Sequence, residues 1–181
     1  LMTAAKVTGL GVAIINKDDV VYQRAFGMAD AEHGRPLRED SVMYAASFTK
    51  AMFATLVMQL EKEGVLDLDK SIENMLPKPL SDYEKYSDLS GDERWKKITP
   101  RMLLSHTSGL PNWRWFEPGE KLRIYFTPGQ RYAYSGEGMI LLQFVIERGL
   151  GLDVGVEMQR RVFDRFGMKN TGMMWRPDFA A

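Results

Sequence analysis

Cysteine is absent from the 181 residues, and histidine occurs only as His33 and His106. The first absence excludes a disulfide frame, a thiol nucleophile and a cysteine-based metal site. The second argues against a histidine-rich metal site. No metal and no organic cofactor is expected. An excess of charge of one sign is also missing. Twenty-four basic and 24 acidic residues give a formal net charge of zero, so no nucleic-acid partner is indicated. No apolar run approaches the roughly 20 residues of a membrane span. The sequence opens at Leu1 with no charged segment leading into an apolar one. A signal peptide, if there is one, is expected to have been removed or to lie outside this sequence, and the compartment stays open. Internal repeats and low-complexity segments are lacking as well.

What is present is an ordinary globular composition, 45% hydrophobic and 27% charged, with enough apolar residues for one sizeable core. Its most regular stretch runs from Ala45 to Leu60, with no Gly or Pro before Gly64. Phe48, Met52 and Leu56 recur at helical spacing, with Phe53, Val57 and Leu60 beside them, which predicts a helix over 47–63 capped by Gly64. Ser47 and Lys50 open it. Three apart on a helix, they share a face. A serine hydroxyl is a weak nucleophile until a base takes its proton, and a lysine amine becomes such a base when burial disfavours its charged form. The apolar neighbours would supply that burial. The helix N-terminus would place N–H groups and positive partial charge where an anionic intermediate forms. On these four residues alone, a second reading stands beside the catalytic one: Ser47 as an N-cap and Lys50 as a solvated side chain.

Around this helix the chain reads in order. Residues 1–7 suggest the tail of a helix. Residues 9–15 read as a buried strand, 16–19 as a four-residue turn and 20–27 as a second strand, together a hairpin. Residues 29–40 read as a polar loop with His33 at the surface. A connector with one helical turn follows Gly64, and 78–97 read as a solvated loop with at most one helical turn. Thr99-Pro100 predicts a helix start for a short helix ending at His106, which is either a catalytic base or, more in keeping with a lone histidine at a helix end, a partner for nearby backbone. Trp113, Trp115 and Phe116 concentrate in one loop. They could wall a substrate cleft or anchor the loop on the core. Ser135 is a good N-cap for an apolar helix over 139–148, and 152–166 read as a further amphipathic helix. Two strands cannot make a stable sheet alone, so sheet partners are expected beyond those visible here.

Taken together, Ser47-Phe48-Thr49-Lys50, Leu66-Asp67-Leu68-Asp69, the run from Ile98 through Leu103-Leu104-Ser105-His106-Thr107-Ser108-Gly109-Leu110-Pro111, Pro128-Gly129-Gln130-Arg131-Tyr132-Ala133-Tyr134-Ser135-Gly136 and the Phe-Gly-Met-Lys-Asn-Thr ending at Thr171 resemble the serine β-lactamase and penicillin-binding-protein superfamily, in its class C-like branch of esterases and D-aminopeptidases. The resemblance runs from about residue 7 to residue 172. It implies an α/β (α+β), β-lactamase-like fold: an antiparallel sheet with helices on its faces plus a mostly helical subdomain. Residues 1–46 would carry the hairpin of the sheet domain, and residues 47–181 the nucleophile helix and helical subdomain. The resemblance also implies a serine hydrolase that cleaves a small ester or amide, a β-lactam or a D-amino-acid peptide through an acyl-enzyme. Ser47 would be the nucleophile, Lys50 the base and Tyr134, matching the tyrosine of the family's Y-x-N motif, the proton shuttle. A tyrosine beside an ammonium is stabilised as phenolate, which suits that task. Tyr132 is assigned to packing, since it alternates with Tyr134. Trp113, Trp115 and Gly136 are the substrate-binding candidates. The alternative is a penicillin-binding or peptide-sensing module, or a relative that binds without turnover. Relatives are often exported to the periplasm.

Two departures matter. The asparagine of Y-x-N is Gly136 here. A contact to a substrate amide is therefore expected to be lost, which favours an ester or a small amide; alternatively, Gly136 simply permits an unusual backbone angle. Also, no Lys-Thr-Gly or His-containing third motif follows Tyr134. The C-terminal sheet strands and the second oxyanion donor are expected to lie outside this chain or on a second chain. Without them weak activity or none is expected, since losing one such donor costs on the order of 10²–10³ in rate.

Overall fold

Lys17 and Asp18, both with positive φ (50° and 70°), reverse the chain in a two-residue turn of the type that suits the right-handed twist of a hairpin. They join β1 (Gly9–Asn16) to β2 (Asp19–Asp30), a tighter connection than the four-residue turn expected. The strands pair antiparallel from Gly9↔Gly27 to Asn16↔Asp19. Ile14 faces Tyr22 and Ile15 faces Val20, so Val21 is the extra residue of a bulge. A short third strand, β3 (Arg35–Pro36), pairs with the end of β2. The polar segment before β3 turns on the Asp30 carboxylate, which accepts from the Glu32 and His33 amides and faces His33 Nδ1 at 2.8 Å. His33 is exposed, as expected.

The computed structural model describes residues 1–180, and these form two units. One is Leu1–Ala45 with the segment from Lys169 onward; the other is Ala46–Met168. The sequence reading instead places everything after residue 46 in one subdomain. The first unit has the antiparallel sheet and no helix before residue 8, where turns replace the expected helix tail. β1 was expected to be buried, yet Leu10, Ile14 and Ile15 are exposed, as are Val20, Tyr22, Phe26 and Met28 of β2. The apolar run has the composition of a strand covered on both faces, and three strands leave it without that cover among the described residues.

The second unit holds the main core. α1 (Thr49–Lys62) buries Phe53, Leu56, Val57 and Leu60, the i, i+3, i+4, i+7 stripe of an amphipathic helix. Gly64, at φ 70°, ends it in the left-handed conformation. Thr99 caps α2 (Pro100–Leu104), accepting from the Met102 amide at 3.3 Å. Ser135 caps α3 (Gly136–Gly149), accepting from the Gly138 amide at 2.8 Å. α4 (Val154–Met158) continues into a π turn at Gln159–Phe163 and packs on α1, where Gln59 donates to the Arg161 carbonyl and Arg161 pairs with Glu63 at 2.6 Å. The stretch 78–97 corrects its expectation. It is a series of 3₁₀ turns (Leu80–Asp82, Glu84–Leu89, Glu93–Lys97) that buries Leu80, Tyr86, Leu89 and Trp95. The rings of Tyr83 and Tyr86 meet Phe144 of α3 edge-on, both at 4.9 Å. Its many charged residues conceal apolar anchors three or six positions apart, the repeat of a 3₁₀ turn rather than of an α-helix or a strand.

Candidate active site

Ser47 lies in a 3₁₀ turn, Ala46–Phe48, that leads directly into α1. Ala46 before it has φ 46°, a left-handed conformation costly for a residue with a Cβ and typical of strained sites. Ser47 does not cap the helix: Phe48 holds the cap position, with no side-chain cap bond. The Ser47 hydroxyl is engaged elsewhere. Lys50 Nζ donates to Ser47 Oγ at 3.2 Å, and Tyr134 Oη donates to the same oxygen at 2.8 Å across 87 positions of sequence. The Lys50 ammonium also stands 5.0 Å from the centre of the Tyr134 ring and 5.8 Å from that of Trp113. Lys50 is half-buried and Phe48 exposed. Two aromatic rings from distant parts of the sequence thus face its ammonium.

The Tyr134 phenol is held below its ordinary pKa, first by its hydrogen bond with Lys50 and then by that with Ser47, against an opposing effect of desolvation. A cationic donor stabilises the phenolate over the phenol. The residues flanking Tyr134 are fixed in the backbone. The Ala133 amide donates to the His106 carbonyl at 2.8 Å, the Ser135 amide donates to His106 Nδ1 at 3.1 Å, and Ser135 Oγ donates to the Pro111 carbonyl at 2.8 Å. His106 is therefore a partner of nearby backbone and makes no bond to Ser47. Tyr132, expected to pack, is exposed and only meets the His106 ring edge-on at 5.9 Å.

Gly136 is buried at the first turn of α3. Its backbone is not in the left-handed region, so an unusual angle does not account for it. Close approach does. A Cβ built there would sit 2.7 Å from the Asn112 carbonyl oxygen and 2.7 Å from two carbons of the Trp113 indole. The loop is pinned in that position. Asn112 Oδ1 accepts from the Gly136 amide at 3.0 Å, and the Asn112 carbonyl accepts from the Glu137 amide at 3.0 Å. Glu137, buried, accepts from the Arg114 amide at 3.2 Å and from its guanidinium at 3.1 and 2.8 Å. Trp113 is half-buried between Gly136 and Lys50. It stacks on the half-exposed Trp115 with ring centres 4.6 Å apart and planes 13° apart. Sequence reasoning missed Asn112, Arg114 and Glu137. The one available signal was a carboxylate, Glu137, in the first turn of a helix whose next polar residue is Gln143. Among the described residues no cluster of His, Asp and Glu could hold a metal ion, and no helix is long and apolar enough to cross a membrane.

The Beta-lactamase family model matches residues 1–179. The chain belongs to the Beta-lactamase family. It is 29% identical to Esterase EstB of Burkholderia gladioli over 93% of this chain and 48% of that protein. It is 28% identical to Penicillin-binding protein 4* of Bacillus subtilis over 84% of this chain and 35% of that one. This family member thus spans about half the length, or less, of these curated relatives. In fold it is similar to the D-alanine carboxypeptidase AmpC of Burkholderia cenocepacia, with TM-score 0.78 and 22% identity over 99% of this chain and 48% of that one. The helices and small antiparallel sheet of the two units agree with the β-lactamase-like α/β fold expected from the sequence.

Proposed function

We propose that the protein is a serine hydrolase in which Ser47 forms an acyl-enzyme with a small ester or amide. Lys50 and Tyr134 manage the proton, and Trp113 and Trp115 flank the acylated serine. One observation carries the reading: the amine and the phenol both bond to the same hydroxyl oxygen. A structural serine needs neither. Once Tyr134 is ionised, beside the positive Lys50, the Ser47 hydroxyl can donate to it. Attack of Oγ on the substrate carbonyl then passes that proton to the phenolate. Collapse of the tetrahedral intermediate breaks the ester or amide bond, and the Tyr134 proton goes to the leaving oxygen or nitrogen. Addition of water across the acyl–serine bond frees the carboxylic acid and restores the hydroxyl.

The preference for an ester or a small amide is supported by Gly136. It presents no side-chain amide or hydroxyl to a substrate, and the Trp113 indole fills the space such a group would need. That a relative is named an esterase points the same way. The test is covalent labelling of Ser47 by a fluorophosphonate, read by intact mass, together with turnover of a chromogenic ester and of a cephalosporin. Labelling should vanish in S47A and slow by about 10²–10⁴ in Y134F, the usual contribution of a positioned proton donor. Labelling equally fast in Y134F refutes the role of Tyr134. A stable adduct with no ester turnover would instead make this a module that is acylated and stays so.

A further inference from the structure

His106 makes no bond to the reacting serine, yet it touches Tyr134 and both of its chain neighbours. Its carbonyl accepts from Ala133, its Nδ1 accepts from Ser135, and its ring lies against the Tyr134 ring with centres 4.5 Å apart, tilted by 39°. It holds φ at 58°, a left-handed conformation in which His, with Asn and Asp, is enriched among residues other than Gly. The angle closes α2: beyond the cap residue Ser105, the His106 amide donates to the Leu103 carbonyl at 3.3 Å and the Thr107 amide to the Met102 carbonyl at 2.8 Å, the helix ending that puts the residue after the cap in the left-handed conformation. The angle turns carbonyl and imidazole together toward the segment carrying Tyr134.

We infer that His106 is a positioning residue, a neutral imidazole clamp that sets Tyr134 against Ser47 and lets go when it gains a proton. Accepting from the Ser135 amide requires a free lone pair on Nδ1, so the neutral ring carries its proton on Nε2. An imidazolium has no acceptor left. Protonation would cost the Ser135 bond and set a second cation close to Lys50 and behind the phenol. The charged and titratable groups facing the ring are Lys50 from α1 and Tyr132 and Tyr134 from the extended segment. None of them favours the imidazolium as a carboxylate would. Burial first and Lys50 second hold the His106 pKa below its ordinary value. The clamp is therefore intact at neutral pH and opens only in acid.

This inference rests on the role proposed for Tyr134, and the experiment separates the two. Fluorophosphonate labelling of Ser47 is followed from pH 4.5 to 9 in wild type, H106F, H106N and Y134F. The Tyr134 phenol is followed in parallel by NMR of protein carrying ¹³Cζ-tyrosine, with the Y134F spectrum giving the assignment. H106F keeps a ring but has no acceptor, and should label at least about tenfold more slowly at pH 8, since small misplacements of a reacting group cost that much or more. Asn tolerates positive φ, and its Oδ1 can stand where Nδ1 stands. H106N should therefore recover most of the lost rate. It should also lack the acid step, below pH 6.5, that the wild-type Tyr134 resonance and labelling rate both show. Wild-type labelling by H106F, or an acid step that persists unchanged in H106N, overturns the clamp. If H106F does not fold, the comparison of H106N with wild type decides by the acid step alone. If Y134F labels like wild type, the proton role of Tyr134 falls, while its resonance still reports whether His106 holds it.

Discussion

Replacing Gly136 by alanine should destabilise the protein, although alanine is the better helix former. The gain in helix propensity is at most about 1 kcal/mol, and less at the first turn of α3. Against it stands a methyl group placed 2.7 Å from the Asn112 carbonyl oxygen and from two carbons of the Trp113 indole, well inside contact distance. Overpacking of this kind costs about 1–3 kcal/mol. The backbone oxygen cannot swing aside, because Asn112 is tied to Gly136 and Glu137 by two bonds of 3.0 Å. The net loss should be about 1–2 kcal/mol. With a urea slope of about 2 kcal/mol per molar, the midpoint falls by roughly 0.5–1 M. Truncating the indole in W113A removes two of the three close atoms but leaves the carbonyl. The double variant should then recover part of the loss, with a coupling of about 0.5–3 kcal/mol. Tryptophan fluorescence of G136A should also change as Trp113 leaves its stack with Trp115. A midpoint that is unchanged or raised in G136A, or strict additivity in the double variant, refutes the view that the indole and the missing side chain exclude one another.

Glu137→Ala leaves the Arg114 guanidinium and amide without their buried partner. It should cost about 3–5 kcal/mol and lower Ser47 labelling by freeing the Trp113 loop, as read by urea titration and intact mass; a loss under about 1 kcal/mol would show the pair to be dispensable. Leu56→Ala, in the fully buried stripe of α1, should cost about 2–5 kcal/mol on the same titration. His106 sets a pH dependence of stability with a definite sign. Its folded pKa is depressed, so the unfolded chain binds its proton first. The stabilisation is complete above the unfolded value of about 6.5 and is lost as pH falls from there through the folded value. The difference in urea midpoint between wild type and H106N should therefore shift against wild type on going from pH 7.5 to 5. A constant difference would remove His106 from the account.

Much of this was legible in the chain. The stripe of α1, Gly64 at its end, Thr99 and Ser135 as caps and the hairpin follow from local periodicity and from side chains that satisfy nearby backbone, which are properties of short windows. The pairing of Ser47 with Lys50 on one turn is local too. Where reading failed, the cause was non-local. Residues 78–97 look solvated because charged residues outnumber their few anchors, which repeat by threes as in a 3₁₀ turn and are buried only by contacts such as that of Tyr86 with Phe144. The first strand looks buried because composition alone cannot say how many layers cover it.

By itself, the order of residues determined that Ser47 and Lys50 share a helical face, that α3 begins at a capped turn beside Tyr134, and that Gly rather than Asn follows Ser135. Only the tertiary structure decided that the phenol crosses 87 positions to meet that serine, that His106 stands behind the phenol rather than before the serine, and that Gly136 is empty because an indole needs its space. Periodicity and capping act over a few residues and leave a trace in sequence. Contacts made by folding distant segments together depend on packing and directed hydrogen bonds, which no short window contains.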